Sequence, residues 1–108
     1  MRVVYLAAAE QDIRELRRYL TKNFGKPVWL ETRQKIRDTL QSIRTLPLGG
    51  TIPDELAELG QRQYRQSISG MNRLIYRTGD DAIYIYIVCD SRRDLRTLLT
   101  RRLTRAPD

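Results

Sequence analysis

The 108 residues predict a single α+β domain, and three observations carry that expectation. Residues 7–45 hold two apolar stripes at helical spacing, separated only by FGKP. Residues 64–90 hold three short runs rich in β-branched and aromatic residues, separated by glycine-bearing turns, and a leucine-rich segment closes the chain. A chain of this length can bury one core without disulfides or metals. Its composition, 41% hydrophobic and 31% charged, is that of a globular protein rather than a disordered one. No internal repeat, low-complexity tract or linker divides it, so residues 1–108 read as one domain.

Taken in order, Arg2 to Leu6 form a short β-branched N-terminal strand. Ala7 to Phe24 place Ile13, Leu16, Leu20 and Phe24 three and four residues apart, with Glu10, Asp12 and Glu15 early and Arg17, Arg18 and Lys22 late. That order of charges complements a helix dipole, and Gly25 ends the helix. A second helix starts at Pro27, buries Trp29, Ile36, Leu40 and Ile43, and stops before Pro47. The join allows only an antiparallel helical hairpin. Leu46 to Gly60, LPLGGTIPDELAELG, is punctuated by two prolines and three glycines within its interior and end, and reads as a loop with one helical turn. Tyr64 to Ile68, Asn72 to Arg77 and Asp81 to Asp90 form a three-strand antiparallel meander. Asp94 to Arg105 is a closing helix with Leu95, Leu98, Leu99 and Leu103 on one side.

Turn chemistry sets an expected register. Gly79-Asp80 suits a two-residue type II′ hairpin, which pairs Arg77 with Ala82, Tyr76 with Ile83 and Arg73 with Tyr86. One face then collects Leu74, Tyr76, Ile83, Ile85 and Ile87 against the helical hairpin, and the other collects Arg73, Ile75, Arg77, Tyr84 and Tyr86. A two-residue loop at Gly70 would turn Arg65 into the core, an expensive place for an unpaired charge. A three-residue loop, Ser69-Gly70-Met71, is therefore expected. It pairs Ile68 with Asn72 and Arg65 with Ile75, sends Tyr64 and Ile68 into the core, and leaves Arg65 outside with Arg73 and Arg77. With the helices on one face of the sheet, the other face is open. It is either an ordinary solvated face or a working surface, where arginines beside tyrosines can stack on bases, grip phosphate or hold a protein partner.

Charge favours an anionic partner. The net charge is +7, carried by 17 Arg against 3 Lys, and no lysine follows Lys35. Arginine is the residue suited to bidentate contact with carboxylate or phosphate. Residues 60–108 hold 10 basic and 5 acidic side chains, net +5, against 10 and 8, net +2, in residues 1–59. The single cysteine, Cys89, cannot form an internal disulfide and reads as a small buried residue. No segment approaches the ~20 apolar residues of a membrane span, and no secretion signal precedes the first charges. A cytoplasmic protein with no membrane partner is expected.

The succession LPLGG, ELG, YRQSISGMNRLIYR and IYIYIVCDSRRDLRTLL resembles the RelE/ParE family of bacterial toxins over nearly the whole chain. Its most specific parts are Tyr64-Arg65, the Arg73-Leu74-Ile75-Tyr76 strand and the Arg92-Arg93-Asp94-Leu95 step. The resemblance implies the toxin of a type II toxin–antitoxin module, neutralised by a small ParD-like antitoxin, with no cofactor and no metal. RelE-like members cut mRNA in the ribosomal A site, and ParE-like members inhibit DNA gyrase. Arg65 and Arg73 match family arginines on the strands, and Arg92 or Arg93 matches one after the last strand.

Cleavage at a 2′-hydroxyl needs a proton acceptor, a proton donor and cations. This chain has no histidine, TIPDELAELGQRQ stands where ribonucleolytic relatives carry a lysine pair, and no tyrosine follows Asp94. The expected activity is thus gyrase inhibition, with ribosome-dependent mRNA cleavage as the alternative and a non-toxic nucleic-acid-binding module as a third. No residue is assigned as catalytic. Candidates for gripping a target or phosphate are Arg65, Arg73, Arg77, Tyr84, Tyr86, Arg92 and Arg93, with Arg73 and Arg92 expected outside the core. The arginines of the last helix, including Arg96, Arg101, Arg102 and Arg105, are either a solvated face or a strip that meets an acidic antitoxin; Arg96, Arg101 and Arg102 are the antitoxin candidates.

Overall fold

The structure, a computed structural model, describes residues 1–104. Its elements are β1 (Arg2–Tyr5), α1 (Ala7–Phe24), α2 (Lys26–Thr45), the single turn α3 (Asp54–Ala57), β2 (Arg65–Ser69), β3 (Asn72–Thr78), β4 (Ala82–Asp90) and α4 (Leu95–Thr104). The expected order holds, and α1 has the bounds its apolar spacing gave. Arg105 and the side chain of Leu103, expected on the last helix, lie outside the described residues.

Gly25 alone joins the hairpin. Its φ of +95° is open to glycine, and its N–H donates to the carbonyls of Leu20 and Thr21 as α1 ends. The four strands form one sheet in the order β1-β4-β3-β2, with β1 parallel to β4 and the other pairs antiparallel.

Both hairpin registers differ from expectation. The two-residue turn is Gly70-Met71, where Gly70 has φ +61° and Ser69 pairs with Asn72. Gly79 is not in the positive-φ region a type II′ turn needs. Its N–H instead donates to the Ala82 carbonyl across a wider loop that pairs Thr78 with Ile83 and Arg77 with Tyr84. The Tyr84 ring lies where a Cβ on Gly79 would sit.

A β-bulge follows. Tyr76 pairs with Ile85, but Ile75 pairs with Ile87, so Tyr86 is the extra residue. The slip exchanges the faces of β4 beyond it. Val88 joins Leu74, Tyr76, Ile83 and Ile85 on the hairpin side, packed with Ala9, Ile36 and Ile43. Ile87, expected on that side, instead joins Ile75 and Cys89 on the other face, beneath Leu56 of α3 and Leu95, Leu98 and Leu99 of α4. The second face is therefore not open, and the helices do not all pack on one side: α4 and α3 cover its far half. Tyr64 is buried as expected, but in this second cluster. Ile68, expected in the core, is 57% exposed on the edge strand, and Phe24, at the end of its stripe, is 60% exposed.

β1 is too short to cover β4. Pairing stops at Tyr5 with Ile85, and the Leu6 N–H caps the Ile85 carbonyl. The next backbone groups on that edge are met by side chains. Asp12 of α1 accepts the Val88 N–H at 2.9 Å, and Arg102 of α4 donates to the Tyr86 carbonyl at 2.8 Å. The two are joined to each other at 2.6 Å, and both are nearly buried. One ion pair thus completes the ladder and ties the helix layer on one face to the helix on the other.

Removing one partner leaves a buried charge without its complement, which costs about 3–5 kcal/mol. Asp12→Ala and Arg102→Ala should each lower unfolding free energy by roughly that amount in urea titrations. Asp12→Asn, which keeps an acceptor for the Val88 amide, should lose less; equal losses would deny the edge-capping role.

Candidate functional site

The arginines do not share one face. Arg65 stands opposite Tyr76 and so points to the hairpin side, which the three-residue loop had been expected to prevent. Its charge is tolerated because β2 is an edge strand. The guanidinium leaves along the edge and donates to the carbonyls of Gly50 at 2.8 Å and Leu48 at 3.3 Å. The LPLGG loop is held there by Thr51 bridging to Gln66 and by the Tyr76 hydroxyl, which donates to the Pro47 carbonyl and accepts from the Gly50 N–H. A Cβ at Gly50 would collide with that hydroxyl and with the Gln66 carbonyl.

Arg73 lies on the α4 side but is only 7% exposed, not outside the core. It forms a fork with Glu55 of α3, at 3.1 and 3.4 Å, and donates to Gln66 at 3.1 Å and to the Arg93 carbonyl at 2.7 Å. Its Nε–H has no partner. One cation thereby fastens β3 to β2, to α3 and to the turn before α4. Cys89 beside it is buried, and burial pushes its thiol up despite the nearby guanidinium.

Arg92 is exposed and paired with Asp90 through Nε at 2.9 Å and Nη2 at 3.1 Å. Those bonds, with the Arg92 amide, hold the Asp90 carboxyl down at about 2. Asp94 caps α4, accepting from the Arg96 N–H and the Thr97 hydroxyl. Of the antitoxin candidates, Arg96 is exposed and within 3.7 Å of Glu58 and 3.9 Å of Asp94. Arg101 is exposed, whereas Arg102 is committed to Asp12.

What the fold does bring together is Arg77, Tyr84 and Tyr86, on the turn half of the sheet that α4 leaves uncovered. Arg77 is exposed and opposite Tyr84, and both tyrosines are half-buried. The Tyr86 ring meets Tyr64 edge-on at 5.1 Å between centroids. Tyr64 was not among the site candidates, although it was expected as the first residue of its strand and, with Arg65, carried part of the family resemblance. Burial raises its phenol above the ordinary value, and proximity of Tyr86 adds to the rise while Arg77 pulls against it. The result is an exposed cation beside tyrosine rings, suited to holding an anion or an acidic protein surface. Among the described residues no group of His, Cys, Asp and Glu is placed to hold a metal ion, and no helix is long and apolar enough to cross a membrane.

Arg73→Ala should cost about 3–5 kcal/mol because it strands Glu55, while Arg77→Ala should stay within about 0.5 kcal/mol of the parent, both by chemical denaturation. The depressed Asp90 carboxyl stabilises the fold above the ordinary carboxylate range near 3.8, and that contribution should fade as pH falls toward 2. A carboxyl titration by NMR with an Asp90 midpoint at the ordinary value would contradict it.

A family model described as ParE toxin of the type II toxin–antitoxin system parDE matches residues 3–95. Comparison with curated protein sequences finds no significant match. Among solved structures, a chain of the chromosomal ParDE system from P. aeruginosa aligns with TM-score 0.68 and 15% identity, covering 83% of this chain and 95% of that one. A YoeB/ParE toxin from Agrobacterium tumefaciens aligns at TM-score 0.55 and 14% identity, over 83% and 98%. A chain of the YoeB–YefM toxin–antitoxin complex from Staphylococcus aureus aligns at 0.54 and 21%, over 86% and 98%. At these identities the likeness is one of fold. The family match, spanning all but the last turns of the described chain, makes this protein a ParE-type toxin of a type II toxin–antitoxin system.

Proposed function

We propose that the protein arrests bacterial growth by binding and poisoning DNA gyrase in the cytoplasm, and that a cognate antitoxin encoded beside it neutralises that activity. The observation that carries this reading is the character of the cation–aromatic surface at the turn end of the sheet. Arg77, Tyr84 and Tyr86 offer charge and stacking area, while Tyr64, the phenol with a guanidinium nearby, is shifted away from proton exchange at neutral pH. Gripping needs charge and stacking area, whereas RNA cleavage needs a group that exchanges a proton readily near neutral pH. Two of the arginines that a nuclease would aim at a phosphorane are otherwise engaged: Arg73 with Glu55, and Arg65 with loop carbonyls. The family assignment and the toxin–antitoxin complexes among the structural relatives support the antitoxin as partner.

Purified protein should inhibit supercoiling by gyrase and leave ribosome-bound mRNA intact. Arg77→Ala should weaken that inhibition by roughly tenfold or more without lowering thermal stability, as expected for an exposed binding anchor. Cuts in A-site mRNA with unimpaired supercoiling would overturn the proposal.

A further inference from the structure

A cleft of about 330 Å³ opens on the helical hairpin, where the end of β1 meets the seam between α1 and α2. Its lining is apolar and partly aromatic: Tyr5 of β1, Ile13 of α1, and Trp29 and Ile36 of α2. That size is at the small end of ligand pockets, which pair such a lining with a few polar groups. Trp29 is only 5% exposed, yet its indole N–H donates no hydrogen bond among the described residues. A donor on so buried a ring ordinarily finds an acceptor. Burial holds the half-buried Tyr5 phenol above its ordinary value, so it offers a neutral hydroxyl beside that donor.

Four charged side chains line the cleft: Glu10, Arg14, Arg33 and Arg37. The first two answer each other. Arg14 lies 3.9 Å from Glu10 and also donates to the Gln11 side-chain carbonyl at 2.9 Å. Arg33 and Arg37 have no carboxylate in reach among the described residues. The acids nearest them in sequence are engaged elsewhere, Glu31 with Lys35 at 3.4 Å and Asp38 with the Gln34 amide at 2.9 Å. Trp29, Arg33 and Arg37 fall four residues apart on one face of α2. Like charges at that spacing repel, so the helix carries two uncompensated cations directly beside an apolar cleft.

We propose that this cleft binds a small amphiphilic carboxylate, its apolar body against Ile13, Trp29 and Ile36 and its head between Arg33 and Arg37. The two carboxylate oxygens suit a guanidinium fork, and the Trp29 N–H and Tyr5 hydroxyl supply further donors to oxygen. The site shares no residue with Arg77, Tyr84 and Tyr86, so it stands whether or not gyrase is the target.

Trp29 is the chain's single tryptophan, which makes its emission a reporter of the cleft. The test titrates the full chain with decanoate below its micelle range, following emission and heat by calorimetry. Decanoate should shift Trp29 emission saturably and raise the melting temperature as its concentration rises. Decanol, which keeps the tail, and propionate, which keeps the head, should each bind roughly tenfold or more weakly. Arg33→Gln with Arg37→Gln alters two exposed positions and relieves a repulsion, so melts should show an intact fold; its affinity for decanoate should fall roughly tenfold or more. The proposal is overturned by decanol or propionate binding as tightly as decanoate, or by parental affinity in the double variant. Heat of binding without any change in Trp29 emission would place decanoate elsewhere on the protein and equally sink it, as would the absence of binding.

Discussion

A four-residue β1 lies beside a nine-residue β4, and the uncovered edge of β4 is completed by two charged side chains rather than by more strand. Asp12 and Arg102 take up one N–H and one C=O next to the bulge, so each backbone group finds the partner that a buried peptide requires. Burial pushes the Asp12 carboxyl up although the Val88 amide and Arg102 pull it down. Ionising it inside the fold is therefore harder than in water, and the pair is no large net source of stability. Its value is geometric. α1 belongs to one helix layer and α4 to the opposite one, and this pair is where they are linked around the sheet edge.

Arg73 applies the same logic at the centre of the sheet. A cation buried on a central strand persists only with its fork filled, and Glu55, Gln66 and the Arg93 carbonyl fill most of it. Edge position relaxes the demand: Arg65 reaches two loop carbonyls and remains partly in water. The same residue type thus acts as internal rivet, edge clasp or exposed contact according to strand order. Arg77, beside Tyr64, is exposed because α4 stops short of the turn half of the sheet.

Helical spacing was legible because each stripe alternates apolar with charged residues, and α1 ends at the glycine whose φ it needs. The strands were legible as strands but not in register. IYIYIVC is apolar or aromatic at every position, so a slip of one residue exposes nothing polar and leaves no mark in the sequence. Two Gly-X pairs competed for the two-residue turn, and the choice depends on the Tyr84 ring packing on Gly79, a contact that exists only after folding. Rejecting the tight Gly70 turn because it would bury Arg65 assumed a central strand; the edge removes that penalty. The site was legible to the same extent. Arg77, Tyr84 and Tyr86 do come together, because their faces are set on the turn side of the bulge. Arg65 and Arg73 do not join them, because one depends on the β2 register and the other on an ion pair with a helical turn far away in sequence.

The bulge also divides one strand between two surfaces. Before it, β4 sends Tyr84 outward beside Arg77; after it, β4 sends Ile87 and Cys89 under α4 and turns an edge capped by Asp12 and Arg102 to the groove between α1 and α4. One strand therefore presents a side-chain surface at one end and a lined groove at the other, separated by the Asp12–Arg102 link. Arg102 reaches both: it donates to the Tyr86 carbonyl at the tyrosine end of the strand and pairs with Asp12 of α1 on the other side.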